Sequence, residues 1–529
     1  MTSEAQLDTL EAKGLIRLAA YRPELEYLFR HWLVQDAAYG SLLKQERRQL
    51  HLLVGQALES LYPDRRLELA GMLALHFEQA GDTEKAIEYL VAAGHHAQER
   101  NAIREAYSAF DRAAALLPPA ADDEDAALRR RRLEIEVGRA RASFAFAPIR
   151  ELLTNLESLV PAADRAGDPE IIATIHLLIA LSRLHTGDQP SDPAVKRSLD
   201  RIAEVGDELR DPSLRAMPLA LVGLNQVFSG PIRDGVRALE EAVPLMEDRS
   251  DVIGAAFARG SLAIGYAQLG EFDKAQQAAR HASELAATGD LIAELDARIA
   301  QSIVHSTRGQ LEDAAPMALA CVNRAEETGA TACVMASSFV LGDVYHRQGR
   351  FAEARDVLQR GTDISLVVDR KGWRPTLQAW LGSAQSALGV AGDDGQWDEA
   401  LAAARSIGNR VGEAGILHKR AEALSRRGDW DEAGAALSAS AAIYEAEGAR
   451  PALARTLHSW GEVLIAAGQP DEARSKLQLA LGLFEEMGIA AEAEQVRGLL
   501  DTRAAAGAGA AGAGTTEGTS AGGSVRAGR

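Results

Sequence analysis

At 529 residues the chain is too long for one ordinary hydrophobic core, so several domains or a repeat array are expected. A net charge of −19 would repel a phosphate backbone over most of the surface, which excludes broad nucleic-acid binding but not a local basic patch. The only cysteines, Cys321 and Cys333, give no disulfide framework, no stretch approaches the roughly 18 uninterrupted apolar residues of a membrane span, and the start lacks a signal-peptide pattern, so a soluble cytoplasmic protein is expected.

Residues 1–62 differ from the rest. Glu4 to Lys13 carries Leu7 and Leu10 on one helical face, with Gly14 placed to close the helix. Leu15–Leu18 and Leu25–Phe29 read as strands joined by a turn containing Pro23, and a long helix is predicted from about Leu33 to Leu61. Helix, hairpin, helix is the second half of a winged-helix domain. The two helices that open such a domain are not found here, so Leu7, Leu10, Leu15 and Ile16 are expected to lack part of their packing surface. Residues 63–117 read as the first helical hairpins.

Several phrases in this region occur in a fixed order: Gly14-Leu-Ile, Tyr27-Leu-Phe29-Arg30-His31, Asp36-Ala-Ala-Tyr39, Leu42-Leu43, Arg47-Arg48-x-Leu50-His51 and Leu75-His76-Phe77-x-x-Ala80-Gly81-Asp82. Residues 1–117 thereby resemble the stretch just after the P-loop ATPase module in large bacterial signalling proteins: nucleotide cyclases with tetratricopeptide repeats, related kinases, and transcription regulators of the signal-transduction ATPase class. The departures are specific. The chain has no Gly-x-x-x-x-Gly-Lys-Ser/Thr phosphate loop, no cyclase-like region and no DNA-binding helix-turn-helix. The resemblance therefore implies the sensor or docking role of the family's C-terminal arm and not its activities.

Pro118-Pro119 and the acids up to Asp125 break the helical pattern, and 118–126 is expected to be a linker. The run Arg129 to Arg132 is flanked by acids on both sides and reads as a solvated helix face rather than a nucleic-acid patch. From 127 to 502 the chain repeats. A turn glycine, an apolar residue, an acid and an alanine recur as Gly270-Glu-Phe272-Asp273-Lys-Ala275, Gly349-Arg-Phe351-Ala-Glu353-Ala354 and Gly428-Asp-Trp430-Asp431-Glu-Ala433. The turn glycines fall at 230, 270, 309, 349, 389, 428 and 468, taking Val390–Gly395 as a loop insertion. A period of about 40 residues means stacked helical hairpins. A second series, Gly289, Gly329, Gly408, Gly448 and Gly488, closes many of the second helices. Leu341, Gly342 and Tyr345 take the close-packing positions of the first helix, as do Leu262, Ala263 and Tyr266, and Trp460, Gly461 and Leu464. These match the tetratricopeptide pattern. The expected fold is all-α: a tetratricopeptide-like right-handed superhelix of antiparallel helix pairs, preceded by a partial winged-helix segment with a β-hairpin. Residues 503–529 are rich in Gly and Ala and are expected to be disordered.

No constellation for chemistry emerges. The twelve histidines include no His-Glu-x-x-His or zinc-spaced set, and His95-His96 is a plain helical pair. Repeated acids after each turn suit the positive end of a helix and not an acid/base dyad. Cys321 and Cys333 read as small hydrophobes on successive helices. No catalytic residue, metal or cofactor is expected. What remains is the concave groove of such a stack, suited to an extended segment or helix. The repeat pattern points Asp343, His346, Arg347, His418, Glu422, Arg455, His458 and Glu462 into it, and the expected partner is a protein or peptide, an ATPase or cyclase subunit among the candidates. The rival expectation is the regulatory half of an ATP-dependent signalling enzyme whose catalytic domains lie on another or a longer chain.

Overall fold

A computed structural model of the chain describes residues 3–20, 26–100, 102–121, 124–144, 146–211, 213–247, 252–287, 291–369, 371–390 and 394–513. Within them lie 25 α-helices and one two-stranded antiparallel sheet, and the chain divides into two compact units, Met1–Arg139 and Ala140–Arg529.

In the first unit the helix Ser3–Ala12 ends where Gly14 turns left-handed at φ +71°, which lets Leu15 N–H reach back to Leu10 O at 3.0 Å. Strands Ile16–Ala20 and Glu26–Phe29 pair with Ile16 opposite Phe29 and Leu18 opposite Tyr27; the turn expected around Pro23 lies outside the described residues. The single helix expected from Leu33 to Leu61 is in fact two, Trp32–Ser41 and Lys44–Leu61. Leu42 and Leu43 are extended, and the Glu46 carboxylate accepts the Leu43 N–H at 2.8 Å, so the acid three residues on starts a new helix. Three further helices, Ala70–Ala80, Thr83–Glu99 and Ile103–Leu116, bury Phe77 and Phe110 completely. Glycines make room for both rings: Gly55 faces Phe77, and Gly94 and Gly138 face Phe110.

In the second unit helices alternate along the chain, and every turn glycine of the 230–468 series has positive φ. The consequence is local and repeated. Arg350 N–H reaches Tyr345 O at 2.8 Å, Glu271 N–H reaches Tyr266 O at 2.9 Å and Gln310 N–H reaches His305 O at 2.9 Å, each consuming a carbonyl that the helix end would leave bare. Of the second series, Gly329, Gly408, Gly448 and Gly488 are also left-handed, while Gly289 lies outside the described residues. The close-packing positions behave as their size requires: a β-carbon on Gly461 would sit 2.6 Å from Leu477 Cγ, and one on Gly342 would collide with Leu358.

The repeats also close on themselves. Ile149 N–H donates to Val368 O at 3.2 Å, Gly372 N–H donates to His185 O at 3.4 Å, and the Gln189 side chain donates to Ile407 O. These partners are about 190–220 residues apart, so the array returns to itself after roughly five to six repeats. The contact is apolar as well as polar. Phe272, Ala275 and Ala279 share one buried cluster with Leu477, Phe484, Ile489 and Val496. Turn glycines on the earlier coil sit directly under the later one: a β-carbon on Gly187 would lie 2.5 Å from Ile407 Cγ2, and Gly230, Gly270 and Gly309 are covered by Glu447, Met487 and Glu492. The last helix, Ala490–Ala513, runs into the Gly/Ala-rich stretch; residues 514–529 lie outside the described residues.

Candidate functional site

Helices Thr331–Arg347, Arg374–Ala387, Arg410–Arg427 and Arg450–Ala466 are the first members of successive pairs, each followed by a turn and its antiparallel partner. Because they stack side by side at one repeat's offset, residues 37 to 41 positions apart meet. Trp380 Nε1 donates to Asp343 Oδ1 at 2.8 Å, and His346 Nε2 lies 2.9 Å from Ser383 Oγ. Ser383 donates to Glu422 Oε2 at 2.7 Å, and His418 Nδ1 lies 2.9 Å from Thr456 Oγ1. The result is a continuous polar row running across four helices.

Proton counting fixes the state of His346 and places one proton of His418. The single proton of Ser383 goes to Glu422, so His346 Nε2 must donate to Ser383, leaving Nδ1 to face the Lys419 ammonium at 3.5 Å. Thr456 donates to Ala452 O, so His418 Nδ1 carries a proton and donates to Thr456, while Nε2 lies 3.2 Å from Ser459 Oγ. His346 is thus neutral by its hydrogen bonds, and burial keeps His418 neutral as well. Burial draws each down to about 4, and Lys419 adds to the effect. Glu422 is the opposite case: burial alone would raise its carboxyl, but the Lys419 ammonium, 2.9 Å away, helps to hold it well below the usual range. Asp343 is likewise held low against burial by Arg347 and Lys419.

At one end of the row two arginines converge. Arg347 Nη1 donates to Ser306 O at 2.7 Å, and Arg455 Nη2 donates to Thr307 O at 2.7 Å, so both grip the carbonyl end of helix Leu291–Thr307. Both also donate to the same oxygen, Glu492 Oε1, at 2.8 Å each. Burial and the neighbouring Arg347 draw Arg455 down to about 10, which leaves it charged at neutral pH.

Of the eight residues singled out from the sequence, Asp343, His346, Arg347, His418, Glu422 and Arg455 are placed in this row. His458 is mostly buried, with Nε2 3.9 Å from the largely exposed carboxylate of Glu462, and neither joins the others. The row also contains residues that the repeat pattern did not single out: Lys419, Trp380, Ser383, Thr456 and Glu492. Lys419 is only 6% exposed, so a lysine among the buried positions of its helix was a signal available in the sequence. Glu492 follows Arg455 by 37 residues, the offset at which neighbouring helices meet. Among the described residues no group of three or more His, Cys, Asp or Glu could hold a metal ion. Cys321 and Cys333 are both buried.

Tetratricopeptide-repeat family patterns match residues 256–281, 335–360 and 412–486, which include Asp343, His346, Arg347, His418, Glu422 and Arg455 but not Trp380, Ser383 or Glu492, and cover under half of the chain. An uncharacterized protein of Rhizobium meliloti (strain 1021) is 31% identical over 109 residues, which is 21% of this chain and only 11% of that protein's length. Among solved structures, a Rap protein complexed with competence and sporulation factor superposes with a TM-score of 0.50 at 10% identity, covering 67% of this chain and 98% of that one. At that identity the likeness is one of fold. A signal transduction ATPase with numerous domains and a tetratricopeptide repeat sensor, from Pyrococcus horikoshii, aligns at 13% identity over 90% of this chain and 61% of its own, with a TM-score of 0.36. The chain is thus an all-α, tetratricopeptide-like repeat protein with a small N-terminal hairpin. No described helix is long and apolar enough to cross a membrane.

Proposed function

We propose that residues 127–502 form a non-enzymatic interaction and sensing module of the cytoplasm, which binds a protein or peptide partner along the row from Asp343 to Arg455. The observation that carries this reading is the row itself. Charged and hydrogen-bonding side chains are concentrated on successive first helices of the repeats, where an apolar core would otherwise serve stability as well. The Rap protein of similar fold, solved with a bound factor, supports it. The test is capture of a discrete partner by the purified full chain. His346→Ala, Arg347→Ala and His418→Ala together should abolish capture while leaving the helical circular dichroism intact; capture that survives the triple change refutes the site.

A second reading draws on the first unit. Trp32, Leu33, Leu43, Leu53, Leu61 and Leu67 are all at least 60% exposed, an apolar surface uncommon on a free-standing unit. We infer that residues 1–62 are part of a winged-helix module, and that the chain serves as the regulatory arm of an ATP-dependent signalling enzyme. A phosphate-loop coding sequence in frame or adjacent upstream supports this, and a clean intergenic region there counts against it.

A further inference from the structure

Glu492 is a strained choice of partner for two arginines. Oε1 accepts from Arg347 Nη2 and from Arg455 Nη2 and Nε, while Oε2 is buried and has no hydrogen-bond partner at all. It lies instead against Gly309, where even a β-carbon would collide with it. A carboxylate between guanidinium groups ordinarily uses both oxygens, and a buried acceptor left bare is costly. The arginines, by contrast, are held firmly. Each is also anchored to a carbonyl of Ser306 or Thr307, so each keeps one hydrogen bond that does not involve Glu492. Solvent still reaches them: the side chains of Arg347, Arg455 and Glu492 keep 17%, 20% and 13% of their exposure. Two positive charges thus face the half-used carboxylate of Glu492 and, 3.8 Å from Arg347, the more distant one of Asp343.

We propose that Arg347 and Arg455 are a carboxylate receptor for the partner bound in the row, and that Glu492 is its built-in, displaceable occupant. The proposal rests on the reading of the row as the partner-binding surface and adds the chemistry of the ligand: an extended acidic peptide, engaging through a side-chain carboxylate or its C-terminal one. An incoming carboxylate presents both oxygens to the anchored guanidinium groups and turns the Glu492 side chain out towards solvent. No covalent step is involved. Because Glu492 sits in the first turn of the last helix, over Gly309 of the earlier coil, displacement also loosens the contact between coils there. The receptor is therefore coupled to closure of the superhelix.

The test uses the full chain and three fluorescein-labelled pentapeptides: glutamate with an amidated C-terminus, glutamine with a free C-terminus, and amidated glutamine as the uncharged control. Glu492→Gln removes the internal competitor and keeps its shape. It should bind one of the two charged peptides at least about tenfold more tightly than the wild type does, and the peptide that gains identifies the carboxylate source. The double variant Glu492→Gln, Arg455→Gln, in which Arg347 keeps only Asp343 as its acid, should lose that gain. Equal affinity of Glu492→Gln and wild type for both charged peptides, or a gain retained in the double variant, overturns the proposal. Should Glu492→Gln not fold, hydrogen exchange on the wild type decides: saturation with the charged peptides should raise exchange at amides 490–496, and unchanged exchange refutes displacement. If a captured partner remains sensitive to His346 and His418 while these arms fail, only the receptor falls. If neither peptide nor protein binds, the partner-binding reading falls with it.

Discussion

The contact between coils makes a comparison of two chemically identical substitutions decisive. Gly187 and Gly349 both end a helix in the left-handed region, at φ +105° and +74°, and either replaced by alanine incurs the left-handed penalty of about 1–2 kcal/mol. The surroundings differ. Around Gly349 no atom would lie within 4 Å of an added β-carbon, whereas at Gly187 it would meet Ile407 Cγ2 at 2.5 Å and Cβ at 3.3 Å. Ile407 cannot easily retreat, because its carbonyl is held by the Gln189 side chain. Overpacking of this kind adds about 1–3 kcal/mol. Gly349→Ala is therefore expected to cost about 1–2 kcal/mol and Gly187→Ala about 2–5 kcal/mol. Denaturant midpoints of the full chain, read by circular dichroism, measure the difference. The double variant Gly187→Ala, Ile407→Ala tests the cause, since it should recover part of the excess. Equal losses at 187 and 349 would show that the coils do not touch in solution.

Three further outcomes follow from the same geometry. His346 and His418 are drawn from 6.5 to about 4, so between those values the unfolded chain takes up protons that the folded one refuses. Stability is complete above about pH 6.5 and falls as the pH drops towards 4, each shift being worth on the order of 3 kcal/mol, less for the two together because they share Glu422; a melting temperature flat from pH 7 down to 4 refutes this. Gly138→Ala should destabilise by about 1–3 kcal/mol despite its gain in helix propensity, because its β-carbon would lie 2.6 Å from the Phe110 ring, and Phe110→Leu in the same chain should relieve the clash on thermal melting. Burial pushes the Cys321 thiol up to about 12, so a disulfide reagent at pH 8 should label it only after denaturant is added; prompt native labelling of Cys321 would contradict its burial.

Much of the architecture was legible because its causes are local. A left-handed glycine followed by an acid and an alanine fixes a helix end and the next helix start within about six residues, and the 39–40 residue spacing of Gly230 to Gly468 repeats that unit. The break at Leu42–Leu43 escaped notice because Gly40, just before it, lies inside the helix Trp32–Ser41 and makes no left-handed turn; Glu46 starts the new helix by a side-chain bond instead. Gly187 escaped because it lies 43 residues before Gly230, off the period. The site divides in the same way. Asp343, His346, His418 and Glu422 could be named from the repeat pattern, but they lie on helices two repeats apart, and Trp380 and Ser383, which join them across offsets of 37–39 residues, were not.

The sequence by itself determined the hairpin, its length and the faces that neighbouring hairpins bury, since each depends on interactions within one or two repeats. Only the tertiary structure decided which distant repeats meet. Arg347 finds Glu492 at a separation of 145 residues, and Gln189 finds Ile407 at 218. Those pairings arise from a small rotation between repeats summed over the array, and no single repeat encodes that sum.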